Sequence, residues 1–288
     1  MQLAPYGTVA TAHETPGELR VLFSEVEEYF ECGATLEKGA IVVDVGANIG
    51  AFAVAAAHRT EGAIRLLCFE PVPALYAALS KNLAENDWLK LGKHRAENIA
   101  LSTPEESGTP CDFYYFKRFP RDSTMDIAQK RVEFEAFFAA QGARVGKALS
   151  WMGPGARLVE GAVSLLPRGR LGRWASDRVT GLERLSVPRS TLSEIVTRAE
   201  LPRIDLLKVD VEGAEGKVLA GIDEATWLKV RQIVLETDGT DAKTLPLVET
   251  LKAHGFDDVR MTEPPSTKAR GLPNLIVRAT RRSDARVS

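Results

Sequence analysis

The stretch that most constrains this chain is VVDVGANIGAFAVAAA, which begins at Val42. Its β-branched run, 41–45, carries one charge, Asp44, and reads as a short buried strand. Gly46 and Gly50 follow directly, and Asn48–Arg59 reads as a helix whose alanines permit close packing on a sheet. A buried strand, a glycine turn and a helix in immediate succession make a βα unit, whose strand needs parallel neighbours.

The rest of the chain supplies them. Ile64–Glu70 reads as a second strand, Ala74–Asn86 as a helix after Pro71 and Pro73, and Glu97–Leu101 as a third strand. The rhythm then stops at about Ser102 and resumes near Ser186. Beyond it come a helix at Thr191–Ala199, strands at Ile204–Asp210 and Val230–Glu236, helices at 213–219 and 242–254, and closing strands near 256–261 and 274–279. Ahead of the first strand, Leu19, Leu22, Phe23, Val26 and Phe30 recur at helical spacing and predict an amphipathic helix over 17–31. Residues 1–16 read as a loose lead-in. The fold expected is therefore an α/β sheet with parallel pairing, interrupted by a largely helical insertion. The corresponding division is 1–101 for the first half of the main domain with its N-terminal helix, 102–186 for the insertion, and 187–288 for the second half.

Composition narrows the class. At 44% hydrophobic and 26% charged over 288 residues, the chain has the makings of a sizeable core. Cys32, Cys68 and Cys111 are too far apart for a metal-ligand spacing or a disulfide framework. Residues 1–30 carry no secretory pattern, and Asp44 and Asn48 break the most apolar run, so no membrane span is expected. A cytoplasmic protein follows. A net charge of -2 argues against a dedicated nucleic-acid binder.

In an open parallel sheet, ligands bind beyond the carboxyl ends of the strands, where strand order reverses. Asp44 ends the first strand, Glu70 the second and Asp210 the fourth. Gly46 and Gly50 allow a tight turn and a close backbone approach, and the helix after them aims its amides at the same place. The spacing Gly-x-x-x-Gly departs from the dinucleotide fingerprint and suits a nucleoside ligand with a carboxylate, such as S-adenosylmethionine. The bland alternative is a turn that needs glycine for geometry alone. Glu70 is placed to accept both ribose hydroxyls, as acids at this position do in dinucleotide folds. Glu97, Asn98 and Ala100 are candidate neighbours of the adenine. Asp210 and Glu212 read as functional acids, whereas Glu215 reads as a helix cap.

Together these stretches resemble the FkbM family of class I S-adenosylmethionine-dependent methyltransferases. The residues that carry the likeness are VVDVGANIGAF, CFEPVPALYAALSKNL and LLKVDVEGAEGKVLAG, in that order, with QIVLETDG similar to the family's next element. The resemblance spans about 25–101 and 187–280. It implies a doubly wound, mostly parallel seven-stranded sheet of Rossmann-like form with its last strand antiparallel, and O-methylation, often of a natural-product or sugar hydroxyl. It implies a cofactor loop of Asp44, Gly46 and Gly50, with Glu70 similar to the family's ribose-binding acid; Asn48, Asn98, Ala100 and Asp210 complete the candidate cofactor contacts. Asp210 and Glu212 then lie nearest the transferred methyl as the catalytic pair. The insertion is the departure from the family pattern.

That insertion leaves a parallel strand at its carboxyl end, on the ligand side. FYYFKRFPRDSTM packs Tyr114, Tyr115 and Phe116 among basic residues. Phe134, Phe137 and Phe138 recur at helical spacing. Both a satellite core and a lid over an acceptor pocket fit these residues, and Tyr114, Tyr115 and Glu236 are the candidate acceptor contacts. From Lys117 to Arg189 there are fourteen Lys or Arg and seven Asp or Glu. That positive excess suits an anionic small molecule or a carrier-protein-bound intermediate. Its aromatics also resemble a platform for RNA bases, but no binding motif accompanies them. No histidine is placed as a base, so the candidates are Asp210, Glu212, Glu236 and Asp238. A cation held by Asp210, Glu236 and Asp238 is the competing use of the same acids, and no metal is expected. Two other readings stay open: cyclisation of the donor with release of methylthioadenosine, and a non-catalytic module that docks an acidic partner.

Overall fold

Residues 40–45 are buried along their whole length, which only a strand with neighbours on both edges and cover on both faces permits. The computed structural model describes residues 1–12, 14–90, 92–117, 120, 123–128, 130–132, 181–266 and 274–281. The main sheet comprises β1 (Ala40–Val45), β2 (Ile64–Phe69), β3 (Arg95–Glu97), β4 (Leu206–Val209), β5 (Gln232–Thr237), β6 (Asp258–Thr262) and β7 (Leu275–Thr280). Their order across the sheet is β6-β7-β5-β4-β1-β2-β3. β5, β4, β1, β2 and β3 are mutually parallel, and β7 runs antiparallel between β5 and β6. Strand order reverses at β1, between β4 and β2.

Side chains alternate across this sheet and find helices on each face. Ile41, Val43, Val45, Val209 and Leu235 share one core with helices α4 (Leu192–Arg198), α5 (Glu215–Ala220) and α7 (Asp241–Ala253), and with Trp227 of the short α6 (Glu224–Trp227). The helices before the crossover are α1 (Pro16–Glu31), α2 (Ala51–Arg59) and α3 (Pro73–Glu85). Tyr29 and Phe30 at the end of α1 meet Phe52 of α2 edge-on and stacked, respectively. Capping boxes start α1 at Thr15 with Glu18 and α4 at Thr191 with Glu194.

Four elements differ from expectation for identifiable reasons. α2 begins at Ala51 rather than Asn48, because Asn48 and Gly50 both have left-handed backbones, φ 52° and 88°. The third strand is two pieces. Asn98 leaves the sheet to donate to Glu70 O and Pro71 O at 2.8 and 2.9 Å, and Ala100–Leu101 then pairs separately with Arg189–Ser190. The lead-in is anchored rather than loose: Gln2–Leu3 pairs with Gly7–Thr8, and Asn82 and Asn86 of α3 bind the backbone of Ala10, Tyr6 and Thr8. Finally, the described ends of the insertion pair as strands, and residues 127–128 and 130–132 are helical. The chain divides into two compact units, 1–111 with 186–288, and 112–185. In the second, Cys111–Phe116 pairs with Leu182–Val187, and alternation along the first strand buries Phe113 and Tyr115. The helical spacing at Phe134–Phe138 lies outside the described residues.

Asn82 has one side chain serving three backbone groups: Ala10 N at 2.6 Å, Ala10 O at 3.0 Å and Ile49 O at 2.7 Å. Asn82→Ala leaves these groups, one of them the carbonyl of Ile49 in the glycine loop, without their partner. Urea denaturation is expected to show a loss of about 3 kcal/mol. A loss under about 0.5 kcal/mol would mean that the N-terminal segment is not held this way.

Candidate functional site

The register of the sheet sets the first contact. Asp44 of β1 stands opposite Lys208 of β4, so their side chains leave the same face as neighbours. Lys208 Nζ lies 3.1 Å from Asp44 Oδ1 and 3.5 Å from Asp210 Oδ2, and donates to Gly46 O at 2.8 Å. The Lys208 side chain is 4% exposed and that of Asp44 is sealed off, while that of Asp210 keeps 31% of its surface. Burial works against the charge on Lys208, but Asp44 and then Asp210 outweigh it, so its pKa is raised and it stays an ammonium. Burial raises Asp44 in turn, with Lys208 opposing. Neither oxygen of Asp44 takes a directed hydrogen bond among the described residues. Lys208, 3.1 Å away, answers Oδ1 as an ion pair, which leaves Oδ2 as the buried acceptor without a partner among the described residues.

The glycine loop is built around the same point. At Gly46, φ 75°, an added Cβ would stand 1.8 Å from Asp210 O. The turn and the close approach are both required, and what approaches is the backbone of β4's end. Gly50, φ 88°, likewise faces Leu79 Cδ1 at 2.8 Å. Between them, the amides of Gly46 and Ala47 reach Phe69 O at 3.0 Å, and Asn48 N donates to Glu70 Oε2 at 2.8 Å. Val72 N holds Glu70 Oε1 at 2.8 Å. Glu70 is 4% exposed. Burial pushes its carboxyl up to about 7, against the two amides and Lys208, and Asp44 adds to the rise. Asp44, Glu70 and Asp210 are thus electrostatic neighbours at one end of three adjacent elements, as the sequence led us to expect.

A residue not foreseen completes the cluster. Tyr29 is buried at the end of α1, with its Oη 3.2 Å from Asp210 Oδ2 and 3.0 Å from Glu236 Oε2. Asn274 Nδ2 donates to the other oxygen of Glu236 at 2.9 Å. Burial and then Asp210 push the Glu236 carboxyl up to about 7. Lys208, Tyr29 and Asn274 escaped the sequence reading. Lys208 sits inside an apolar strand, where an unmatched lysine signals a buried partner. Tyr29 lies within the helix expected over 17–31, where nothing local sets it apart.

The other expected site residues are more scattered. Asn98 spends its amide on the 70–71 backbone, and Ala100 is buried in the small parallel pair with Arg189. Glu212 is partly exposed with φ 52°. Glu215 caps its own turn by accepting from Gly213 N at 3.0 Å. Asp238 is engaged by Lys243 at 2.8 Å and by Thr240. Tyr114 and Tyr115 belong to the second unit, where Tyr114 bridges Thr124. Among the described residues no group of three His, Cys, Asp or Glu could hold a metal ion. No described helix is long and apolar enough to cross a membrane.

A carboxyl that the fold keeps protonated binds more protons folded than unfolded between its two pKa values. Stability therefore falls as pH rises across that window. For Glu70 and Glu236 the window runs from about 4.5 to about 7. The expected contribution is on the order of 2 kcal/mol for Glu70 and less for the partly exposed Glu236. Denaturant titrations at pH 5 and 7.5 check this: Glu70→Gln and Glu236→Gln should each flatten the decline, and equal slopes in all three proteins would contradict it.

A doubly wound sheet in this strand order, with acids gathered at its switch point, is the class I methyltransferase architecture. Residues 44–261 match the model of the methyltransferase FkbM domain. The chain belongs to this family and is a methyltransferase; family and fold together imply S-adenosylmethionine as donor. Methyltransferase sdnD of Sordaria araneosa is 33% identical over 235 residues, covering 79% of this chain and 77% of that protein. The 31-O-demethyl-FK506 methyltransferase FkbM of Streptomyces tacrolimicus is 29% identical over 256 residues, covering 88% and 87%. The antimetabolite synthetase AmbE of Pseudomonas aeruginosa is 33% identical over 256 residues, which cover 83% of this chain but 11% of that protein.

Proposed function

We propose that this methyltransferase acts on a hydroxyl of a small-molecule or carrier-bound natural product, with S-adenosylmethionine as the donor. The observation that carries the reading is the convergence of Asp44, Glu70 and Asp210 at the switch point around the buried Lys208 ammonium. The residues fit the donor. Glu70 would take the ribose hydroxyls with the lone pairs its two amides leave free. Asp44, sealed beneath the loop, would set the charge there with Lys208, and Gly46, Asn48 and Gly50 would shape the loop around the amino-acid end. Asn98 and Ala100 would support the adenine side, the former by fixing the 70–71 backbone. Oxygen as the acceptor atom is supported by the name of the Streptomyces relative, which specifies a 31-O-demethyl substrate. A carrier-bound acceptor is supported by the likeness to a segment of a much longer synthetase. Tyr114 and Tyr115 are proposed as acceptor contacts on sequence grounds.

Bound S-adenosylmethionine supplies a methyl group already activated by its sulfonium. The protein's part is alignment, exclusion of water and reception of the acceptor's proton. Asp210 is the group best placed for the last task, since it keeps solvent-accessible surface while tethered by Lys208 and Tyr29. Glu212, two residues further on, is the proposed second acid.

Titration calorimetry with S-adenosylhomocysteine tests the donor site. One saturable site is expected, with affinity weakened about tenfold or more in Glu70→Ala. No heat at millimolar ligand would end the reading, and unchanged affinity in the variant would remove Glu70 from the ribose. Mass spectrometry of turnover then separates the reactions: S-adenosylhomocysteine marks methyl transfer, and methylthioadenosine marks cyclisation.

A further inference from the structure

Tyr29 presents a counting problem. Its hydroxyl carries one proton, yet it lies within hydrogen-bond distance of two carboxyl groups, Asp210 Oδ2 and Glu236 Oε2. Two carboxylates cannot both be satisfied by one O–H. The second contact is attractive only when one acid carries a proton and donates it to Tyr29 Oη. The surroundings choose which. Asp210 lies beside the Lys208 ammonium, whereas Glu236 is held by two uncharged donors, Tyr29 and Asn274. The other charges that bear on Glu236 are Asp210 and Glu25, both of which favour its protonated form, and Lys208, which is coupled to it from β4. The arrangement is a chain, Glu236 carboxyl to Tyr29 hydroxyl to Asp210 carboxylate, that ends at the residue facing the proposed donor site.

We propose that Tyr29, Asp210 and Glu236 form a single proton-holding unit that gives up its shared proton when a cationic donor binds and takes one back from the acceptor. The proposal rests on the donor reading above. The free protein holds the proton on Glu236. A positive charge near Asp210 favours the doubly ionised pair, so the proton leaves to solvent and the unit becomes a base. As the acceptor oxygen forms its bond to carbon and the carbon–sulfur bond breaks, the acceptor's proton passes to Asp210. Tyr29 Oη accepts that proton and gives its own to Glu236 Oε2. The thioether product is neutral, so the re-protonated unit matches it. Summed over a cycle, one methyl is transferred and one proton released, which balances charge. Tyr29 is a positioning residue in this scheme, and Glu236 the end of the relay. The raised Glu236 pKa, about 7, places the switch at neutral pH.

Proton counting tests this without an acceptor. Binding heats of S-adenosylmethionine and of S-adenosylhomocysteine are measured at pH 7 in two buffers of different ionisation enthalpy. Both ligands carry the ribose that meets Glu70, so any proton released there is common to both. The expected result is that S-adenosylmethionine releases about half a proton more than S-adenosylhomocysteine. That excess should disappear in Tyr29→Phe and in Glu236→Gln while S-adenosylhomocysteine still binds. An equal count for the two ligands, or an excess that survives in both variants, overturns the proposal and leaves the donor site standing. Absence of binding by either ligand to the wild-type protein overturns both.

Discussion

One buried ammonium organises the sheet's functional end. Lys208 bridges two acids from adjacent strands and binds the carbonyl of Gly46 between them. Removing one member of a buried ion pair typically costs about 3–5 kcal/mol, far more than an exposed pair is worth. The register that sets Asp44 beside Lys208 is therefore tied to the charge balance of the site. Without the lysine, Asp44, Glu70, Asp210 and Glu236 would be four acids competing for protons in one small volume. With it, charge is concentrated on the β1 and β4 ends and depleted at Glu70 and Glu236.

The loops follow from that centre. β1 turns so tightly that Gly46 lies against the carbonyl of Asp210, and no other residue type leaves room there. The turn carries Asn48 N to Glu70, and Asn98 ties Glu70's own carbonyl to the third strand. Three chain segments distant in sequence are thus cross-linked by backbone contacts before any ligand is considered. Such a scaffold can hold polar groups in fixed positions at little further entropic cost. α1 then adds Tyr29 from the far side, anchored by the contact of its ring with Phe52.

What could be read from the sequence depended on whether a signal was local. The βα units were legible because strand runs, glycine turns and amphipathic helices are local patterns, and the three acids were legible because each closes such a run. Lys208 and Tyr29 were not, since their roles depend on neighbours 160 or more residues away. The backbone partners of Asn98 were hidden for the same reason, because the 70–71 carbonyls it binds lie 27 and 28 residues away. The β character of Cys111–Phe116 was visible in principle, in the alternation of Phe113 and Tyr115, but the density of aromatic residues masked it. Glycine was read correctly as a turn requirement, while the atom it makes room for turned out to be protein.

A crystal structure of the complex with S-adenosylhomocysteine tests the central claim most directly. The account expects the ribose hydroxyls on Glu70, the amino-acid end at the glycine loop, and the sulfur on the side of Asp210. An adenosyl group bound elsewhere, for example in the basic groove of about 460 Å³ between Arg65, Lys93, Arg95 and Arg198, would contradict it.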